Sequence, residues 1–174
     1  MFELNLQQHA EAEMKGRLER KYMVHLLDAS FGGEATNWVR IGKNMEEFNV
    51  ELNPSTETKE DVTGEVSFVN SGYAPASDAE TFYAVIGDPL FEKLQEIADH
   101  RYKDDHCKTK SLEVHMWEGD KTDGFVAWQE DCYVTPKSYG GNTSGYQIPY
   151  QVDYVGNRVK GLYVPSTKTF TPEE

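Results

Sequence analysis

LEVHMWEGDKTDGFVAW, residues Leu112–Trp128, decides how the chain is read. Leu112, Val114 and Met116 alternate with Glu113, His115 and Trp117, the period of two that belongs to a strand with two unlike faces. Asp120–Gly124 is rich in turn formers and leads into Phe125–Trp128, so the stretch predicts a β-hairpin.

The same period extends outward in both directions. Downstream, Cys132–Pro136 stays extended, and Tyr146, Ile148, Tyr150, Val152 and Tyr154 alternate with Gln147, Pro149, Gln151 and Asp153. Gly156-Asn157 turns the chain into a strand over Val159–Val164. Upstream, Tyr22, Val24 and Leu26 alternate with Met23, His25 and Leu27; after a loop at Phe31–Glu34, a short strand is expected at Trp38–Ile41. Gly42-Lys43-Asn44 then turns into a third strand. Phe48, Val50 and Leu52 point one way along it, Glu47, Asn49, Glu51 and Asn53 the other, and Pro54 ends it. A loop rich in Thr, Glu and Lys follows over Asn53–Asp61. Val62, Val66 and Phe68 alternate with Asp61, Thr63, Glu65 and Ser67 in a fourth strand, with Gly64 at a bulge or close approach.

Only one stretch is clearly helical, over 89–101. Asp88 caps it and Pro89 occupies the first helical position, where no backbone donor is needed. Leu90, Phe91, Leu94, Ile97 and Ala98 form one apolar stripe, with Glu92, Lys93, Gln95, Glu96 and Asp99 opposite. The class expected is mainly β: an antiparallel β-sandwich or partly open barrel with one flanking α-helix. Residues 1–20 mix helical spacing with charge and read as an N-terminal arm, 21–165 as one domain, and 166–174 as a C-terminal tail.

The 174 residues suit one hydrophobic core. No apolar run reaches the eighteen or so residues of a membrane helix, no apolar leader opens the sequence, and no binding to membranes is expected. Cys107 and Cys132 are too few for a disulfide framework, and a reducing compartment is the natural reading. The net charge is −13, and it is uneven. Residues 28–100 hold fifteen acids against four bases, whereas 1–27 are balanced and 101–174 carry −2. Such a chain repels nucleic-acid phosphates rather than gripping them, although solubility alone also favours a strong charge.

Tests for chemistry fail one by one. His100, His106, Cys107, His115 and Cys132 show neither a CxxC nor an HxxxH spacing, so a structural role is expected and no metal or cofactor is implied. Gly140–Gly145 is rich in glycine and hydroxyls but lacks the lysine and following helix of a phosphate loop. Asn142-Thr143-Ser144 matches a glycosylation acceptor in a chain with no mark of secretion. No GxSxG elbow occurs, and with 30 acids no carboxylate pair stands out, so an enzyme is not expected. Tyr146, Tyr150 and Tyr154 share a strand face; they form either a stacking platform for a sugar or part of the core or a subunit interface.

Several segments, taken in order, resemble the tail tube proteins of tailed bacteriophages of Gram-positive hosts. They are Gly64-Glu65, Gly72-Tyr73, Gly87–Leu94 with Ile97 and Arg101, Pro136–Gly141, Gly156–Gly161 and Phe170-Thr171-Pro172. The region around His106-Cys107 departs from the family pattern and is expected to be a variable outer loop. The resemblance implies a β-sandwich with a flanking helix, in hexameric rings stacked into a hollow tube that conducts viral DNA into the host. It implies a virion component assembled in the host cytoplasm; whether the tail is contractile stays open, a long non-contractile tail being the expectation. The partners would be further copies of the chain, a tape measure in the lumen, a terminator, a distal tail protein and DNA in non-specific transit. The arms at 1–20, Asn53–Asp61 and beyond Pro165 would then order on stacking. The polar faces carrying Glu47, Asn49, Glu51 and Glu65 meet either bulk water or the lumen, and the lumen is the expectation. A virion-surface or carbohydrate-binding β-sandwich module is the alternative.

Overall fold

The computed structural model describes residues 16–174; residues 1–15, most of the expected N-terminal arm, lie outside the described residues. The described residues form ten strands and one α-helix. In chain order they are β1 (Met23–Asp28), β2 (Trp38–Arg40), β3 (Pro54–Glu60), β4 (Val66–Tyr73) and β5 (Ala76–Ala79). After helix α1 (Pro89–His100) come β6 (Lys108–Asp120), β7 (Gly124–Pro136), β8 (Tyr150–Tyr154), β9 (Val159–Val164) and β10 (Thr169–Pro172). The fold is mainly β, a large antiparallel sheet that does not close into a barrel, with one helix.

The Leu112–Trp128 hairpin is the spine of that sheet. β6 pairs with β7 along nearly its whole length, from Lys108↔Tyr133 to Asp120↔Gly124, with a register shift between His115 and Gly119. The strand order is β10-β9-β7-β6-β1-β2, with β8 pairing both β7 and β5. β7 changes partner midway. Phe125–Gln129 pair with β9, and Cys132–Pro136 pair with β8. At the change, the Asp131 N–H donates to Asn157 Oδ1 at 2.9 Å and its carbonyl accepts from Val155 N at 3.0 Å. The Gly156-Asn157 turn thus supplies the backbone bonds that the branch leaves open.

Because neighbouring residues point to opposite faces, this switch lets β7 serve two cores. Phe125 and Ala127 join Leu26, Trp38, Leu112, Val114 and Tyr163 on one face. Cys132 and Val134 join Leu27, Phe48, Ile148, Tyr150 and Val152 on the other, together with Leu90 and Leu94 of α1. The helix begins where capping chemistry allows, with Asp88 Oδ1 accepting from Leu90 N at 2.9 Å behind Pro89. It ends at Arg101, in the left-handed conformation with φ 53°. Leu90, Leu94 and Ile97 are buried and Phe91 is half-buried, its ring edge-on to Tyr146 with 6.0 Å between centroids.

Four details differ from the sequence reading. Glu47–Asn53 is not a ladder strand; it is an extended segment laid on the core that α1 covers, held by one bridge between Glu51 and Ala76. Phe48 is buried edge-on to His25, whereas Leu52 is half exposed. The alternation needed only one covered face and one wet one, and packing without a ladder supplies both. Second, the expected loop after Pro54 is strand β3, paired with β4 in a separate two-stranded sheet. Third, Val62 and Gly64 lie in its turn rather than in a strand, Gly64 with φ 82°. Fourth, the expected C-terminal tail contains β10, which pairs β9 from Thr169↔Val164 to Pro172↔Gly161. Gly161 makes that pairing possible, since a Cβ there would lie 2.3 Å from Thr171 O and 2.7 Å from the Phe170 ring.

Candidate assembly surfaces

Three surface features follow from this architecture. The first is an acidic groove. The segment before β3 carries Glu46, Glu47 and Glu51, and β5 with the residue after it carries Asp78 and Glu80. The Glu51–Ala76 bridge brings the two segments together, so five carboxylates line one open groove. Asn49 lies among them and donates to Glu47 Oε1. Lys137 Nζ meets Asp78 Oδ1 at 2.9 Å, and among the described residues the remaining four carboxylates have no cation within ion-pairing distance. Three of the four residues expected on a lumen face, Glu47, Asn49 and Glu51, are therefore together. Glu65 is not with them. It sits beside the turn of the β3–β4 hairpin, its N–H donating to Asp61 Oδ1 at 3.1 Å.

The second feature is that hairpin. All seven residues of β3 and seven of the eight in β4 are exposed, Val66 at 67% and Phe68 at 69%. Seven residues of strand reach about 20 Å from the base. Asp61 folds the tip: its carboxylate accepts from Thr63 N, Thr63 Oγ1 and Glu65 N, and these bonds hold its carboxyl below the usual range. Sequence reasoning missed β3 because Pro54–Glu60 is polar on both faces and shows no period. The one available signal was Thr56 and Thr58, β-branched residues suited to a pleated backbone.

The third is a charged cluster on the sheet beneath the extended segment. Glu113 accepts from Arg158 at 3.2 Å and meets His115 Nε2 at 2.7 Å, while Arg158 lies over the Trp128 ring at 5.0 Å. Burial raises the Glu113 carboxyl, but His115, Arg158 and His25 outweigh it and leave the group lowered. Glu130 is raised by burial, although Arg158 Nε lies 3.9 Å away and Gly156 N donates to it. Burial also drives His25 down to about 4; Glu113 opposes this, and Arg20, His115 and Arg158 assist it.

The remaining candidates take structural places. His100, Tyr102 and His106 stack in series, with centroid separations of 4.9 and 4.7 Å. Cys107 Sγ donates to Tyr102 O, and Cys132 lies in the core beneath α1 with its thiol pushed up to about 12 by burial. Among the described residues no three His, Cys, Asp or Glu side chains gather as a metal site. The tyrosine platform does not exist: Tyr150 is fully buried, Tyr154 shares a hydrogen bond with Ser77 at 3.0 Å, and Tyr146 Oη reaches Gln95 on α1 at 2.5 Å. Tyr150 and Tyr154 pack into the core, whereas Tyr146 stays 38% exposed beside the helix.

No family model matches the chain, and no curated protein matches it. Solved structures do. The SPP1 tail tube, determined by solid-state NMR and cryo-EM, is 14% identical with a TM-score of 0.53, covering 87% of this chain and 83% of that one. The tube-terminating cap of the anti-feeding prophage is 13% identical with a TM-score of 0.50, covering 83% and 89%. The sheath/tube terminator of the PVC extracellular contractile injection system, in its extended state, is 8% identical with a TM-score of 0.51, covering 84% and 98%. At these identities the likeness is one of fold, and the chain has the fold of tail tube and tube-terminator proteins.

Proposed function

We propose that the chain is a self-assembling structural subunit of a phage-like tail tube, forming hexameric rings that stack around an acidic lumen. The observation that carries this reading is the β3–β4 hairpin on a tail-tube fold. A two-stranded ribbon with no packed face is marginal in water, and Val66, Phe68 and Tyr73 in the open gain only from a neighbour. A second copy supplies that neighbour, and a head-to-tail contact repeats until it closes into a ring or runs on as a stack.

In this reading Glu47, Asn49 and Glu51 face the lumen, and sixfold repetition turns each carboxylate into a ring of charge. DNA phosphates are repelled by such a wall, so the genome slides past without sticking. Glu65, at the hairpin tip, belongs instead with the contact between rings. The tube then functions in the virion beside a tape measure, a terminator and a distal tail protein. The chemistry asked of the protein is repulsion and self-association, with no catalytic residue.

Replacing Glu47 and Glu51 by Lys tests the lumen. Both side chains are exposed, so folding and assembly should persist. Assembled tails should eject their genome more slowly at low salt, and added salt should restore the rate because screening weakens the new attractions. Normal ejection at low salt from particles shown to carry both substitutions removes these residues from the lumen.

A further inference from the structure

We propose that the apolar groove on the sheet face between β2 and the β9–β10 turn receives the β3–β4 hairpin of a second copy of this chain. The inference rests on the tube reading and names the surface on which its ring-to-ring contact forms.

The groove lies on one face of the large open sheet. β2 pairs only β1 among the described residues, and the lining runs from β1 and β2 across Val114, Met116 and Phe125 to Tyr163 and the β9–β10 turn. Val24, Met116 and Pro165 offer apolar surface there, over a floor of buried Trp38 and Tyr163. The mouth carries Arg40, Lys121 and Lys168. In a chain of net charge −13, three cations at one apolar opening stand apart from their surroundings. Among the described residues none of the three is in an ion pair.

The hairpin is complementary in both respects. Val66 and Phe68 lie on one face of β4, opposite Glu60 and Thr58 of β3. Lys59 meets Glu57 at 3.1 Å, which leaves Glu60, Asp61 and Glu65 as an acidic tip. Three carboxylates beside an apolar ribbon thus match three cations beside an apolar groove. The hairpin does not use the groove of its own chain, since nearly every residue of both strands is exposed. The contact therefore forms in trans, between unlike surfaces, and such a contact propagates. Charge complementarity then fixes the register in which the apolar faces meet.

A photo-crosslinking amino acid in place of Phe68, in full-length protein mixed from light and heavy isotope forms, tests the docking directly. Phe68 is exposed, and the thermal transition of the variant checks its fold. Crosslinks in trans to peptides containing Trp38–Arg40 or Tyr163–Lys168 are expected. A reciprocal test uses K121E/K168E, which should raise the concentration needed for tubes by about tenfold or more, with E60K/E65K in the same chain restoring it. Tubes whose Phe68 crosslinks fall elsewhere, or tubes indifferent to K121E/K168E, overturn the groove while leaving the tube reading intact. Wild-type protein that stays monomeric at high concentration overturns the tube reading itself, and the groove with it.

Discussion

His25 sits edge-on to Phe48 with 5.0 Å between ring centroids, close enough to Arg20, His115 and Arg158 that a proton there meets both burial and like charge. Glu113 alone attracts that proton, and it is already engaged by Arg158 and His115. The folded chain thus binds a proton at His25 only near pH 4, whereas the unfolded chain binds one near 6.5. Between those values the unfolded state holds more protons, so stability falls as pH falls, by up to about 3 kcal/mol from this residue. An NMR titration of the His25 ring should give a midpoint near 4; a midpoint near 6.5 refutes the burial account. Tyr150 makes a second case. Its hydroxyl is fully buried with no hydrogen-bond partner among the described residues. Tyr150→Phe removes an unsatisfied polar group while keeping the ring, and should raise unfolding stability by about 1 kcal/mol in urea titrations. A loss of more than about 1 kcal/mol means that the hydroxyl has a partner.

Elements were legible in the sequence where a single buried face or a cap dictates them. Leu94 lies with Tyr150, Ile148 and Val134 in one core, fully buried, so Leu94→Ala should cost about 2–5 kcal/mol in chemical unfolding. A change within about 0.5 kcal/mol removes the helix from the core. Asp88 and Pro89 announce the start of this helix, and the stripe from Leu90 to Ile97 announces its buried side. β6 and β7 were readable for the same reason. β3 was not, because a ribbon with no covered face carries no period, and β10 was short and flanked by Thr and Lys. The opposite error arose at Glu47–Asn53, where perfect alternation marks a segment that packs but pairs only at Glu51. Glu47, Asn49 and Glu51 lie together as their alternation implies, and the bridge from Glu51 to Ala76, 25 residues away in the chain and encoded by no local pattern, brings β5 beside them. Asp78 and Glu80 of the same groove were missed for that reason, and Glu65 lies apart from the other three because its strand is the hairpin itself.

At the scale of the whole molecule, the uneven charge gains a geometry. Eight of the fifteen acids of residues 28–100 divide between an open groove and a hairpin tip, while Arg40, Lys121 and Lys168 gather at the mouth of the apolar groove. One surface suits repulsion of DNA, and the other two suit each other. A monomer leaves all three unexplained; a ring stacked on a ring uses them together. Cryo-EM of concentrated full-length protein examines this most directly. The account predicts hollow tubes of stacked sixfold rings, with Glu47 and Glu51 on the inner wall and each β3–β4 hairpin buried against the next ring. Monomers at every concentration, single closed rings that never stack, or tubes with these carboxylates on the outer surface would contradict it.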